Sequence, residues 1–97
     1  MAPTNVGFAL GLAQRAGKLA SGDFAVKAAL KSGKAKLMVL AADAAPNSKK
    51  EMYYLAEQAN IPVLEALTRE ELGHVIGKVQ RTAVVILDNN FAKMLQR

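Results

Sequence analysis

Residues 37–42 read LMVLAA, an unbroken apolar run. A strand with one wet face alternates apolar and polar side chains, so a run without a polar position needs cover on both faces. Residues 82–87, TAVVIL, form a second strongly apolar strand. Segments of helical periodicity separate and flank the two, which predicts helices on both sides of a sheet. The expected fold is α/β: a three-layer α/β/α sandwich around a central mixed sheet of about four strands, with right-handed crossovers between parallel strands.

Working outward, Thr4 or Asn5 can cap a first helix whose apolar stripe is Val6, Ala9, Leu10, Ala13 and Ala16, with Gly17 as its stop. Residues 18–20 make at most a short edge strand. Ser21 is a good cap for a second helix over residues 22–32, which ends at Gly33, and Asp23 suits the positive end of its dipole. Residues 43–48 are a turn, with Pro46 and Asn47 as breakers and Asn47 or Ser48 as the next cap. The third helix buries Met52, Leu55, Ala56 and Ala59 and closes at Asn60. Residues 61–67 hold a short strand beginning around Pro62. Thr68 and Glu71 form a capping box that opens a fourth helix ending at Gly77. Asp88 caps a last helix that runs through Leu95.

The chain has 97 residues, enough for one domain (1–97) with its own core, and no cysteine. Disulfides, thiolate metal sites and a cysteine nucleophile are thereby excluded. Hydrophobic residues make up 52%, but no uninterrupted run reaches a membrane-spanning length. No signal peptide is expected: the apolar residues 6–13 lack a preceding basic segment and are broken by Gly7 and Gly11. These features fit a cytoplasmic protein. The net charge is +5, and its distribution carries more information than its total. Arg15, Lys18, Lys27, Lys31, Lys34 and Lys36 face only Asp23 in their stretch, whereas Glu51, Glu57, Glu65, Glu70 and Glu71 face only Arg69 in theirs. A domain with one basic side is the footprint of a polyanion binder.

No catalytic constellation can be assembled, and no enzymatic activity is expected. Residues 11–18, GLAQRAGK, imitate a phosphate-binding loop but have five residues between the glycines instead of four, and Leu19 stands where a magnesium-binding hydroxyl belongs. His74 is the only histidine and reads as a surface or partly packed imidazole. Asp43 and Asp88 follow the buried strands but serve sufficiently as turn and cap residues. No metal and no cofactor is expected.

Two surfaces remain as binding candidates. On the second helix Lys27, Lys31 and Lys34 fall together at spacings of three and four, on a face predicted to be solvated, while Gly22 lets a partner approach the backbone. Lys49 and Lys50 lie in the first turn of the third helix, where cations oppose the dipole, a placement that suits a nearby anion or a well-solvated site. After Gly77, Lys78 and Arg81 flank Val79 and Gln80. An exposed Val79 could pack on an unstacked base while the cations hold phosphates. Alternatively, Val79 begins the next strand and points inward.

The motifs LAQRAGK (12–18), Ser21-Gly22, KSGKAKL (31–37), ADA with NSKK (42–44 and 47–50), Ile61–Val63, LGHVIGK (72–78) and VILDNNFA (85–92) share an order and spacing. In these the chain resembles the L-seven-Ae superfamily of ribosomal and RNA-scaffold proteins, in its small bacterial, YlxQ-type branch. The resemblance implies a three-layer fold that binds structured RNA, in many relatives a kink-turn. Gly22 would stand at the start of the recognition helix, and residues 78–81 would form a second contact loop over a protruding base. Kink-turn readers carry Asn, Glu and Lys where this chain has Phe24, Ala25 and Ala28. The expected site is therefore phosphate-directed: Lys18, Gly22, Lys27, Lys31, Lys34, Lys49, Lys50, Lys78, Val79 and Arg81. The expected partner is structured RNA, ribosomal or in another ribonucleoprotein, with no membrane, no small-molecule substrate and a monomeric chain. A protein–protein adaptor that kept the fold without specific RNA recognition is the alternative.

Overall fold

A computed structural model describes residues 3–96. The elements are α1 (Pro3–Arg15), β1 (Leu19–Ser21), α2 (Asp23–Lys31), β2 (Leu37–Leu40), α3 (Pro46–Gln58), β3 (Val63–Glu65), α4 (Arg69–Val75), β4 (Ala83–Ile86) and α5 (Asn89–Leu95). The strands form one sheet in the order β1-β4-β2-β3. Every residue of β2 and β4 is buried, as the unbroken apolar runs require. The cover comes from two groups of helices: α1 packs against α4 and α5, and α2 packs against α3. Leu10, Leu72 and Leu95 fill one interface with the sheet, and Val26, Leu30, Met52 and Ala56 the other. Each fully buried large aliphatic contributes about 1.5–3 kcal/mol.

The sheet is mixed, as expected, but a single pair is parallel. β2 and β3 run together with Met38 opposite Val63, whereas β4 is antiparallel to both β1 and β2. Parallel crossovers therefore account for less of the topology than the alternation of strands and helices predicts. The chain enters β1 at the sheet edge and inserts β4 between β1 and β2, a long-range pairing that local pattern does not encode.

Three predicted caps are corrected. α1 is already helical at Pro3, ahead of the expected start at Thr4 or Asn5; proline suits a first turn because its missing N–H has no partner there anyway. Ser21 is the last residue of β1, and Gly22 caps α2 in its place. α3 starts at Pro46 with Ala45 as its cap, so neither Asn47 nor Ser48 serves, and Lys49 lies past its first three residues. The strongest side-chain signals hold. Thr68 Oγ1 accepts from the Glu71 N–H at 3.1 Å, and Glu71 Oε1 accepts from the Thr68 N–H at 2.8 Å. Asp88 Oδ2 accepts from the Asn90 and Phe91 N–H groups at 3.0 and 3.2 Å. Leu55 and Ala59, expected in the core, are half-buried, because α3 lies at the flank where β3 ends the sheet.

Candidate nucleic-acid interface

α2 begins at a backbone conformation that only glycine adopts readily, with Gly22 at φ 89° and ψ 147°. A Cβ there would meet open space, so the dihedral angle alone selects glycine. Without a side chain at the cap, no side-chain acceptor covers the first-turn N–H groups of α2. They and the dipole make this end locally electropositive, moderated by Asp23.

The loop between α4 and β4 is held by its own backbone. Gly77, at φ 72°, ends α4, and the Lys78 N–H donates to the Gly73 carbonyl at 2.9 Å. Gly73 is buried inside α4, and the loop lies directly over it: a Cβ at Gly73 would fall 2.0 Å from the Val79 carbonyl oxygen. Arg81 braces the same loop. Its Nη1 donates to the Gln80 carbonyl at 3.0 Å and the Val79 carbonyl at 3.3 Å, and its backbone N–H to the Arg69 carbonyl at 3.1 Å. Val79 consequently points outward at 77% exposure, which removes the inward-pointing alternative. Asp43, read as a turn residue, ties this region together by accepting from the Arg69 N–H at 2.8 Å.

Folding brings these two surfaces together. Gly22, Asp23 and Val26 form one wall of a cleft of about 220 Å³; Gln80, Arg81, Thr82 and Ala83 form the other, with Met52 beside them. A groove of about 600 Å³ between α1 and α4 is larger but carries Glu70, Glu71 and His74 along an apolar floor, and its carboxylates would repel a polyanion.

The cations divide into groups that the sequence does not distinguish. Lys27 is engaged twice, with Asp23 at 3.2 Å on its own helix and Glu51 at 3.4 Å on α3. The hydrogen bond and charge of Asp23, reinforced by Glu51, push its pKa upward. Lys27 thus neutralises two carboxylates beside the cleft instead of standing free on a solvated face. Lys49 bonds Glu65 at 3.0 Å, and the Tyr53 hydroxyl donates to the same carboxylate. The anion that meets Lys49 is therefore a carboxylate of β3. Arg81 is committed to its loop. Lys34 lies beyond the end of α2, so helical spacing does not align it with Lys31. Lys18, Lys31, Lys34, Lys50 and Lys78 are exposed and make no ion pair among the described residues.

Those five do not share one end of the domain. Lys18 and Lys36 bond the Leu87 and Ile86 end of β4 through their backbones, with Lys34 beside them, whereas the cleft adjoins Ala83. The ends are separated by roughly 10 Å of strand. Lys50 and Lys78 are on elements that border the cleft end, and Lys31 sits on the outer face of α2. Sequence reasoning missed two residues. Gly73 carries only the weak signal of a glycine within a helix. Phe24, read for what it lacks, is 87% exposed in the first turn of α2.

The ion pairs have a pH consequence. Tyr53 and Lys49 hold Glu65 ionised below the usual carboxylate range, so its stabilisation is complete above that range and is lost as pH falls through the depressed value. Lys27 and Tyr53 are shifted upward, Tyr53 chiefly by its bond to Glu65, so their stabilisation holds below the ordinary lysine and tyrosine values and is lost as alkaline pH passes the raised ones. Melting temperature against pH should show a plateau between an acid and an alkaline limb. Glu65→Gln is expected to flatten the acid limb and Lys27→Met the alkaline one; unchanged limbs would show these pairs to be energetically silent.

Residues 4–96 match the model of the ribosomal protein L7Ae/L30e/S12e/Gadd45 family. The chain belongs to this family. Within it, the chain is 38% identical over 84 residues to the RNA-binding protein YlxQ of Enterococcus faecium, an overlap of 87% of this chain and 81% of that one. It is 36% identical over 86 residues to the RNA-binding protein YlxQ of Bacillus subtilis (strain 168), covering 89% and 86% of the two chains. A solved structure, of a protein with unknown function from Bacillus halodurans, superposes with a TM-score of 0.84 at 30% identity, covering 99% of this chain and 100% of that one. The superposition thus extends over the whole described fold. Among the described residues, no helix is long and apolar enough to cross a membrane.

Proposed function

We propose that this L7Ae-family chain binds structured RNA at the cleft between the start of α2 and the α4–β4 loop. The observation that carries this reading is the convergence there of a helix N-terminus without a side-chain cap and a braced loop bearing Lys78 and an outward Val79. The two YlxQ relatives, both RNA-binding proteins, support it independently. Lys50 and Lys78 would contact phosphate, and Lys27 would act indirectly by covering Asp23 and Glu51. Lys31 would extend the contact along α2. Lys18, Lys34 and Lys49 would contribute at most to the long-range field.

Phe24, Ala25 and Ala28 offer no side-chain donor or acceptor to base edges, so a kink-turn would be met by shape and phosphate geometry. Ribosomal RNA, or RNA of another ribonucleoprotein in the cytoplasm, is the class of partner proposed, with the protein acting as a monomer. The test is the affinity for a labelled RNA hairpin between low and physiological salt. Each phosphate contact contributes about 0.7–0.9 to the log–log slope, so several contacts give a steep decline. Affinity that stays flat with salt, or no binding at low salt, would leave the adaptor reading in its place.

A further inference from the structure

Phe24 is the largest side chain of α2, yet it stands 87% exposed in the first turn. The buried face of the helix is Val26, Ala29 and Leu30, and Phe24 lies opposite it. Ala28 and Lys31 follow at spacings of four and three on the same outer face, both exposed. The outer stripe therefore reads aromatic, small, cation, with roughly 10 Å between its ends. Among the described residues nothing uses the ring.

On the α4–β4 loop a second large apolar side chain is exposed for structural reasons. Val79 is held outward by the packing of its backbone on Gly73 and by the Arg81 hydrogen bonds. Phe24 and Val79 each adjoin a cleft-lining residue, Asp23 on one wall and Gln80 on the other. Exposed Lys78 and Lys31 stand next to and along from them, while Lys27 removes the repulsion of Asp23 and Glu51. An exposed ring on a helix that also carries an ammonium group, with a second cation on the neighbouring loop, suits a nucleotide: the ring meets the base and the cations meet its phosphates. A partner protein would match the apolar part equally but gives no reason for the flanking cations.

We propose that Phe24 is a stacking platform for an unpaired nucleobase, so that RNA specificity here comes from a splayed base and not from base edges read by α2. This deepens the proposed RNA-binding function and rests on it. A base inside a duplex cannot offer its face, so the preferred ligand is a hairpin carrying a single bulged purine over the same hairpin fully paired.

The chain has no tryptophan, so Phe24→Trp introduces a lone reporter at the platform. Its fluorescence should be quenched by the bulged hairpin and not by the paired one. Phe24→Ala and Phe24→Leu should weaken the bulged hairpin by about tenfold or more, as loss of base–aromatic stacking does, and leave the paired hairpin unchanged. The exposure of Phe24 leaves the fold untouched by these changes, which circular dichroism verifies. Equal, salt-sensitive binding of both hairpins, with no quenching and no effect of Phe24→Ala, would overturn the stacking role and leave the RNA reading intact. Failure of both hairpins to bind at low salt would overturn both. A Phe24→Ala variant that alters only self-association in sedimentation would make the ring a protein contact and overturn the proposal.

Discussion

Gly73→Ala is expected to destabilise the protein by about 3 kcal/mol, at the upper end of overpacking changes, and to lower RNA affinity with it. Two effects compete. Alanine in place of glycine inside a helix stabilises by roughly 0.8–1 kcal/mol through propensity. Against this, the new Cβ would lie 2.0 Å from the Val79 carbonyl oxygen and 2.6 Å from its carbon. Both obstacles are backbone, in a loop braced by Arg81 and by the Lys78 N–H bond to Gly73 itself, so no flexible side chain can yield. The steric term exceeds the propensity term severalfold. For a domain of this size the melting temperature should fall by roughly 10–20 °C. Amide resonances over residues 77–81 should shift even in the folded fraction. A higher melting temperature would mean that the loop does not rest on Gly73, and the account of how the cleft wall is held would be wrong.

The second large effect separates the two ends of the domain. Reversing Lys50 and Lys78 together to Glu is expected to weaken RNA binding by on the order of tenfold per residue and to make the salt dependence shallower. Reversing Lys18 and Lys34 changes the net charge by the same amount but acts roughly 10 Å or more from the cleft. Near the Debye length, its field there is largely screened at physiological salt. All four side chains are exposed, so neither double variant should lose stability. Titrating one labelled hairpin with both proteins at physiological ionic strength compares them directly. Equal losses would mean that the whole basic side acts as a diffuse field; a larger loss from Lys18 and Lys34 would move the interface to the far end of the sheet.

Much of this was legible from residue order because its physics is local. The strands at 37–40 and 83–86 follow from runs that cannot tolerate water on either face. The Thr68–Glu71 box and the Asp88 cap follow from short side chains that reach their own helix N–H groups. The caps predicted at Ser21, Asn47 and Ser48 failed for an equally local reason, since the chain could start those helices at a positive-φ glycine and at a proline instead. Motif order also carried the family, which the match over residues 4–96 establishes.

The candidate surface depended on more than residue order. Lysines look alike in sequence, and only tertiary packing distinguishes Lys27 and Lys49, drawn to Glu51 and Glu65 of neighbouring elements, from Lys50 and Lys78. The same holds for Val79, whose outward direction is set by a glycine six residues earlier over which its own backbone closes. Sequence by itself determined the elements, the doubly covered sheet and the basic character of the chain, because burial periodicity and capping act over a few residues. Tertiary structure alone decided that β4 runs between β1 and β2, that α2 and the α4–β4 loop share a cleft, and which cations remain free there. Those outcomes arise from contacts between residues far apart in the chain, whose partners are chosen only when the layers pack.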